Sequence, residues 1–196
     1  MINLCQNKFD TYEALKNENS FIPKYKRITR ISDVDEIDFF PLIIKPNTGS
    51  GGSAGVNIAF DKDETKLYSQ LMLNQGIDII AQSYEGDQDS EFTIGVSSST
   101  KGEILGSICL RRDLSSSISI NKKFKRDTIN YIISSGISQG WICHKDNLQK
   151  QAEEIALSIQ SKGPVNVQGR EVDGKLMLME INPRLSGTSY IRALSG

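Results

Sequence analysis

Met179-Glu180-Ile181-Asn182-Pro183-Arg184 is the stretch on which the reading of this chain turns. Ahead of it, Lys175 to Ile181 alternates long apolar and other residues, the period of a half-buried strand. That period sets Leu176, Leu178, Glu180 and Asn182 on one face and Met177, Met179 and Ile181 on the other. A carboxylate then lies beside an amide oxygen at the exit of an apolar strand. Hard cations such as Mg²⁺ take oxygen pairs of this kind and complete their shell with water and phosphate oxygens. Pro183 has no N–H and ends the ladder, and Arg184 follows as a permanent cation with a fixed fork for phosphate or carboxylate. The same six residues also fit a surface strand end with an incidental salt bridge, so they do not decide function alone.

A second strand, Pro164 to Val172, lies just upstream, and Asp173-Gly174 is a hairpin turn between the two. Spacing then matters. A two-residue loop pairs Val172 with Lys175 and leaves Gln168 on the opposite face from Glu180. A three-residue loop, Asp173-Gly174-Lys175 with a bulge at the glycine, pairs Val172 with Leu176 and sets Gln168 directly across from Glu180. The second register is the expected one, because it converges Gln168, Glu180 and Asn182 on one face.

These two strands resemble the ATP-grasp superfamily, most closely its carbamoyl-phosphate-synthase large-subunit-like branch. The resemblance rests on Val167-Gln168 followed by Met179 to Arg184 and extends over nearly the whole chain. It implies an α+β fold of two lobes, each an antiparallel sheet with helices, and ATP in the cleft between them. It also implies that Gln168, Glu180 and Asn182 hold Mg²⁺ (with Mn²⁺ as a substitute) against the ATP phosphates, and that Arg184 contacts phosphate.

Composition is consistent with such a body. The 196 residues suffice for one substantial domain or two lobes sharing a cleft. Hydrophobic content of 38%, charged content of 24% and a formal net charge of -1 are those of an ordinary soluble chain, with no global pull toward nucleic acid or an anionic membrane. No apolar run is long enough to span a bilayer and Met1 to Pro23 lacks a signal-peptide core, which points to the cytoplasm. Cys5, Cys109 and Cys143 are odd in number and widely spaced, and read as reduced thiols. The single histidine, His144, has no triad partner at readable spacing and reads as a surface residue.

In chain order, Thr11 to Asn17 reads as a short helix and Phe21 to Ile31 as extended, with an acidic stretch from Asp33 to Asp38 that caps or loops. Phe40 to Pro46 is a buried strand ending in Lys45-Pro46, followed by Asn47 to Gly55 with glycine at 49, 51, 52 and 55. Glycines let backbone approach a ligand and let successive N–H groups form an anion nest. The loop is not a Walker A motif, since no Gly-Lys-Ser/Thr closes it, and it continues into the strand Val56 to Phe60 rather than a helix. Asp61 to Glu64 starts a helix whose apolar side is expected at Leu67, Leu71 and Leu73. Asp78 to Tyr84, Glu91 to Ser97 and Ile104 to Arg112 read as strands. Arg111 and Arg112 face opposite ways, so only one of them enters a cleft. Leu114 to Lys123 reads as an irregular serine-rich loop, and Asp127 to Ser134 and Asn147 to Ser161 as helices. The last has a core stripe of Leu148, Ala152, Ile155, Ala156 and Ile159.

The family resemblance gives these pieces roles. The glycine loop is similar to the phosphate-covering flap, with Gly49, Ser50, Gly51, Gly52 and Ser53 closing over the phosphates and Lys45 neutralising their charge. Lys8 matches a basic residue that reaches the same phosphates. Gln82, Ser83 and Tyr84 fall in the hinge that grips adenine and ribose, where Gln82 departs from the usual acidic residue. Glu91 either reaches ribose or orients the lysines, or is simply an exposed strand-start carboxylate. Leu185 to Ser189 falls where the family contacts acceptor.

The expected division is a helical segment over residues 1–20, a small lobe over 21–85 and a large lobe over 86–196. The implied chemistry is ATP- and Mg-dependent ligation. A carboxylate or bicarbonate becomes an acyl phosphate, which an amine or other nucleophile attacks. A small-molecule kinase and a nucleotide-binding fragment are the alternatives. Family members usually carry a separate domain before this unit. The chain is therefore expected to be a fragment, associating with that domain or as a homodimer and inactive by itself if part of the acceptor pocket is missing.

Overall fold

The computed structural model describes residues 1–16, 22–49 and 51–195. Two short helices come first, α1 (Ile2–Gln6) and α2 (Lys8–Leu15), and the Asn7 side chain between them caps α2 by accepting the Asp10 N–H at 3.0 Å. Strands β1 (Tyr25–Ile28), β2 (Leu42–Pro46), β3 (Asn57–Ala59) and β4 (Ile79–Ser83) form a four-stranded antiparallel sheet in the order β1-β4-β2-β3. The glycine loop joins β2 to β3, as expected. Between β1 and β2, Ile31–Glu36 is a 3₁₀ turn whose Asp33 accepts hydrogen bonds from Thr29 and Arg30. These bonds hold its carboxyl well below the usual carboxylate range, the Thr29 backbone N–H contributing most.

Helix α3 (Lys62–Asn74) starts on Asp61, which accepts the Glu64 N–H, and packs on this sheet. Its buried stripe is Thr65, Ser69 and Met72; of the expected leucines Leu73 packs half-buried against the same core, and the other two do not. Leu67 and Leu71 are 70% and 59% exposed. Residues 65, 69 and 72 follow one helix face at the i, i+4, i+7 spacing, and 67 and 71 project from the opposite side.

The second sheet has five antiparallel strands in the order β11-β10-β5-β6-β9. They are β5 (Glu91–Ser98), β6 (Ile104–Arg112), β9 (Gly140–Cys143), β10 (Gly163–Val172) and β11 (Lys175–Asn182). Helix α4 (Asp146–Ser158) buries the expected stripe against it, with Leu148, Ala152, Ile155 and Ala156 in one core with Ile94, Val167 and Leu178. Each large aliphatic residue in that core contributes about 1.5–3 kcal/mol by leaving water. Tyr12 and Leu15 of α2 join the same core, which fixes the N-terminal helices on the larger sheet. Helix α5 (Ser189–Leu194) follows β11.

Two expectations fail between β6 and β9. The stretches read as a serine-rich loop and a helix supply instead β7 (Ile120–Arg126) and β8 (Ile129–Ser134), a separate two-stranded ribbon. Ile132 and Ile133 are both buried, and β-branched and aromatic residues from Ile129 to Ile133 favour a pleated surface over a helix. The serine-rich part that remains irregular ends at Ser119.

The β10–β11 hairpin reaches the expected pairing by an unexpected route. Asp173 and Gly174 both have positive φ, 50° and 75°, and form a two-residue turn that pairs Val172 with Lys175. The register then shifts: Gly169 faces Leu178, and Gln168 faces Glu180. Met179 is the extra residue of a β-bulge. Gly169 permits the close approach, because a Cβ there would lie 2.6 Å from the Met177 carbonyl oxygen. The bulge also inverts the alternation. Leu176 and Leu178 belong to the core, and beyond Met179 the core position passes to Ile181, so Glu180 and Asn182 do not share a face with the two leucines as the plain period required.

Candidate functional site

The two sheets and the ribbon enclose a cavity of about 950 Å³. Lys8, Lys45, Gln168, Glu180, Asn182 and Arg184 line it, as expected from the sequence. Gly49, Gly52, Ser53, Gln82, Ser83 and Tyr84 line it as well. Gly51 lies in the one-turn 3₁₀ segment Gly51–Ser53 of the same loop, and Ser50 lies outside the described residues.

The end of the β10–β11 hairpin supplies an oxygen-rich corner. Gln168 faces Glu180 and Asn166 faces Asn182 across the ladder. Asn182 Nδ2 donates to Glu180 Oε1 at 2.8 Å, so the amide and the carboxylate meet at the strand exit. The Gln168 side chain has no hydrogen bond among the described residues. One carboxylate and two amide oxygens on one face fit a hard divalent cation that takes its remaining ligands from water and phosphate.

Two buried lysines adjoin this corner. Lys45, 7% exposed at the end of β2, donates from Nζ to Met179 O at 2.9 Å, to Tyr12 Oη at 3.3 Å and to Gln82 Oε1. Tyr12 Oη in turn donates to Gln82 Oε1 at 2.7 Å and lies 3.0 Å from Met179 O. The bulge that aligns Gln168 with Glu180 thus also presents the Met179 carbonyl to Lys45. Burial pushes the Lys45 pKa down to about 7, helped by the neighbouring Lys8 charge and opposed by Glu180. Lys8, the first residue of α2, donates to Pro46 O at 3.1 Å, and burial lowers its pKa too, again against the pull of Glu180. Neither ammonium has a salt bridge among the described residues. The corner therefore holds more buried positive charge than its single carboxylate balances, a suitable seat for a polyanion.

Gln82 was expected to face ribose or adenine. Its amide oxygen is instead held by Lys45 and Tyr12, so it orients the lysine. Ser83 hydrogen-bonds Glu85, and Tyr84 Oη accepts the Ile132 N–H at 2.9 Å. Glu91 departs furthest from expectation. It is 1% exposed, reaches neither lysine, and lies behind the cavity wall between two guanidinium groups. Arg112 Nη1 donates to it at 2.7 Å and Arg170 Nε at 3.2 Å. Burial alone would raise the Glu91 carboxyl, but Arg170 and Arg112 outweigh it and hold the pKa below its ordinary value. Of the arginine pair, Arg112 is the one that lines the cavity, and Arg111 turns outward to Asp89.

Several residues at the cleft or behind its wall were not singled out from the sequence; of Tyr12, Arg170 and Arg192, only Arg170 lines the cavity. Tyr12 had a legible signal, since it stands one helical turn from Lys8 and so shares its face. Arg170, on the strand that carries Gln168, and Arg192 did not. Arg192 in α5 is buried with its guanidinium bonded to Thr93 O and Asn166 Oδ1, and burial pushes its pKa down to about 10. Its seat exists because Gly95 has no side chain; a Cβ there would lie 2.5 Å from Arg192 Nη1.

Comparison with known proteins finds relatives for this fold. A family model described as "ATP-grasp in the biosynthetic pathway with Ter operon" matches residues 91–196, a little over half of the chain. A D-alanine–D-alanine ligase of Bacillus anthracis is 32% identical over 85 residues, 41% of this chain and 28% of that protein. The carbamoyl phosphate synthase large chain of Clostridium perfringens is 24% identical over 100% of this chain and 18% of its own length. Among solved structures, D-alanine–D-alanine ligase from B. anthracis complexed with ATP aligns at a TM-score of 0.64 and 20% identity, covering 97% of this chain and 62% of that one. Carboxyaminoimidazole ribonucleotide synthase from Aspergillus clavatus complexed with ATP aligns at 0.64 and 18% identity, covering 95% and 46%. The chain thus spans less than two thirds of each of these relatives.

Proposed function

The chain belongs to the ATP-grasp family, and on that premise we propose that it binds ATP with Mg²⁺ between its two sheets and acts as a carboxylate–amine ligase. Residues 21–85 form the small lobe in this reading and 86–196 the large lobe, with residues 1–20, which carry α1 and α2, as the connecting segment. Glu180, Asn182 and Gln168 would hold Mg²⁺, which neutralises charge on the β- and γ-phosphates when bound. Mn²⁺ suits the same oxygen donors.

The protein's own groups do the rest by position and charge. Lys8, Lys45 and Arg184 stabilise the charge spread over the transferring phosphoryl group, and the Gly49–Gly55 loop closes over it. The γ-phosphoryl leaves the bridging oxygen of ADP for a carboxylate oxygen of the acceptor (or for bicarbonate). An amine nitrogen then attacks the acyl carbon, phosphate departs with the bonding pair, and the amine loses a proton to give an amide-type bond. No protein nucleophile takes part.

The observation that carries this reading is the alignment of Gln168 with Glu180 beside Asn182, next to two buried lysines that have no carboxylate bonded to them. The test is thermal shift with ADP or ATP, with and without Mg²⁺. The wild type is expected to gain melting temperature only when both are present, and Glu180→Gln and Asn182→Ala are expected to lose that gain. A wild type indifferent to nucleotide and Mg²⁺ together would overturn the assignment. ADP release in the presence of a carboxylate, accelerated by an amine, would then separate a ligase from a kinase, which needs no amine.

A further inference from the structure

The β7–β8 ribbon forms part of the cavity wall, through Ile132, Ile133, Ser134 and Ser135, yet it pairs with neither sheet. A two-stranded ribbon is marginal without other support, so something else must hold it in place. On one side it leans on the smaller sheet. Lys122 Nζ donates to Val56 O at 2.8 Å, and Tyr131 meets Phe60 edge to face at 4.9 Å. On the other side the bonds converge on a single carboxylate.

Glu91 sits at the start of β5 with one oxygen on Arg112 and the other on Arg170. Each guanidinium also donates to backbone carbonyls outside the sheet, although Arg112 Nε is buried without a partner among the described residues. Arg112 Nη2 donates to Ser135 O at 3.0 Å and Ile137 O at 2.8 Å, the exit of the ribbon. Arg170 donates to Ile132 O at 2.8 Å in the ribbon and to Glu85 O at 3.2 Å, just past β4. Its guanidinium also stacks on Tyr84 at 4.6 Å, and the Tyr84 hydroxyl bonds the Ile132 backbone. Ribbon, β4 exit and large sheet therefore meet at one buried negative charge.

We propose that Glu91 is a positioning residue for the nucleotide cleft: acting through Arg112 and Arg170, it sets the β7–β8 ribbon as a wall of that cleft. This rests on the nucleotide-binding reading above. Without the carboxylate, two buried guanidinium groups face each other uncompensated, and their forks no longer share a fixed anchor. The ribbon then drifts from the cavity, whereas Glu180, Asn182 and Gln168 stay on their own hairpin.

The test compares the wild type with Glu91→Gln, which keeps shape and removes charge, and with Leu148→Ala, a core truncation beneath α4 remote from the ribbon. ADP·Mg²⁺ affinity is read by calorimetry, and amide hydrogen exchange is followed along Ile129–Ser135. Glu91→Gln is expected to weaken ADP·Mg²⁺ by about tenfold and to speed exchange in the ribbon. Leu148→Ala, although less stable, is expected to bind within about twofold of wild type. The proposal fails if Glu91→Gln binds like wild type, if the ribbon amides stay protected, or if Leu148→Ala loses as much affinity. Should Glu91→Gln not fold, Arg112→Met, which leaves the Glu91–Arg170 pair intact, is read in the same way. A wild type that does not bind ADP·Mg²⁺ sinks the functional reading and this proposal with it, whereas a binding wild type and an unaffected Glu91→Gln sink this proposal alone.

Discussion

Lys45 Nζ donates a hydrogen bond to the carbonyl oxygen of Met179 at 2.9 Å, across 134 positions of sequence. Met179 is the bulged residue of β11, so its carbonyl is turned out of the ladder toward the smaller sheet. One irregularity thereby performs two tasks: it brings Gln168 opposite Glu180, and it seats a buried ammonium at the same corner.

Replacing that ammonium separates binding from stability. Lys45→Met keeps most of the side-chain volume and removes a buried cation without a carboxylate partner, a change that is often neutral or stabilising. The melting temperature is expected to hold or rise, while ADP·Mg²⁺ affinity falls by about tenfold, or about 1.4 kcal/mol. A melting curve and a calorimetric titration on one preparation check both; an unchanged affinity would remove Lys45 from the phosphate site.

The same lysine predicts a pH dependence. Its folded-state pKa of about 7 lies below that of an unfolded lysine, about 10.4. Between those values the unfolded chain holds a proton that the folded chain lacks. The lysine's contribution to stability therefore improves as pH rises from about 7 toward 10, and below about 7 its penalty is constant. An arriving phosphate favours the charged form, so binding near pH 8 is expected to take up a proton and to weaken as pH climbs. Binding heats in two buffers of different ionisation enthalpy measure that uptake, and Lys45→Met should abolish it.

Gly169→Ala tests the bulge. The added methyl meets the Met177 carbonyl at 2.6 Å, and backbone on both strands leaves little room to yield. A loss of about 1–3 kcal/mol in unfolding free energy is expected, together with a smaller Mg²⁺-dependent thermal shift as Gln168 moves off Glu180. Full stability in Gly169→Ala would show that the ladder tolerates another register.

Helix α3 gives a test of side-chain direction. Leu67→Glu and Leu71→Glu are each expected to change stability by no more than about 0.5 kcal/mol. Met72→Ala, which opens the core of the smaller sheet, is expected to cost about 2–5 kcal/mol. Urea unfolding of the three variants decides it, and a severe loss at either leucine would contradict the placement of the helix.

What was legible in the sequence was local. The strand positions of the β10–β11 hairpin, the glycine loop between two strands and the α4 stripe are encoded by residues a few positions apart, and each appears where expected. The Asp173-Gly174 turn is also there, but it closes in two residues rather than the expected three, and the strand alternation beyond it is inverted by the bulge. The Gln168–Glu180–Asn182 convergence was also readable, although the route to it was not: a one-residue bulge shifts the phase of a strand without altering its composition. The ribbon was misread because Asp127 to Ser134 has no clear helical or alternating pattern, and its conformation is fixed by contacts with Phe60, Tyr84 and Arg170.

By itself the sequence determined which groups are available: an oxygen-ligand set at the end of one hairpin, two lysines, and a glycine loop to cover an anion. Only the tertiary structure decided what each of them faces. Gln82 holds a lysine, Glu91 ties two arginines, and Arg112 rather than Arg111 turns inward. The reason is physical. A buried charge must find its partner wherever the fold brings one, and the partners of Glu91 lie 21 and 79 positions away, on strands that become neighbours only when the sheet has formed.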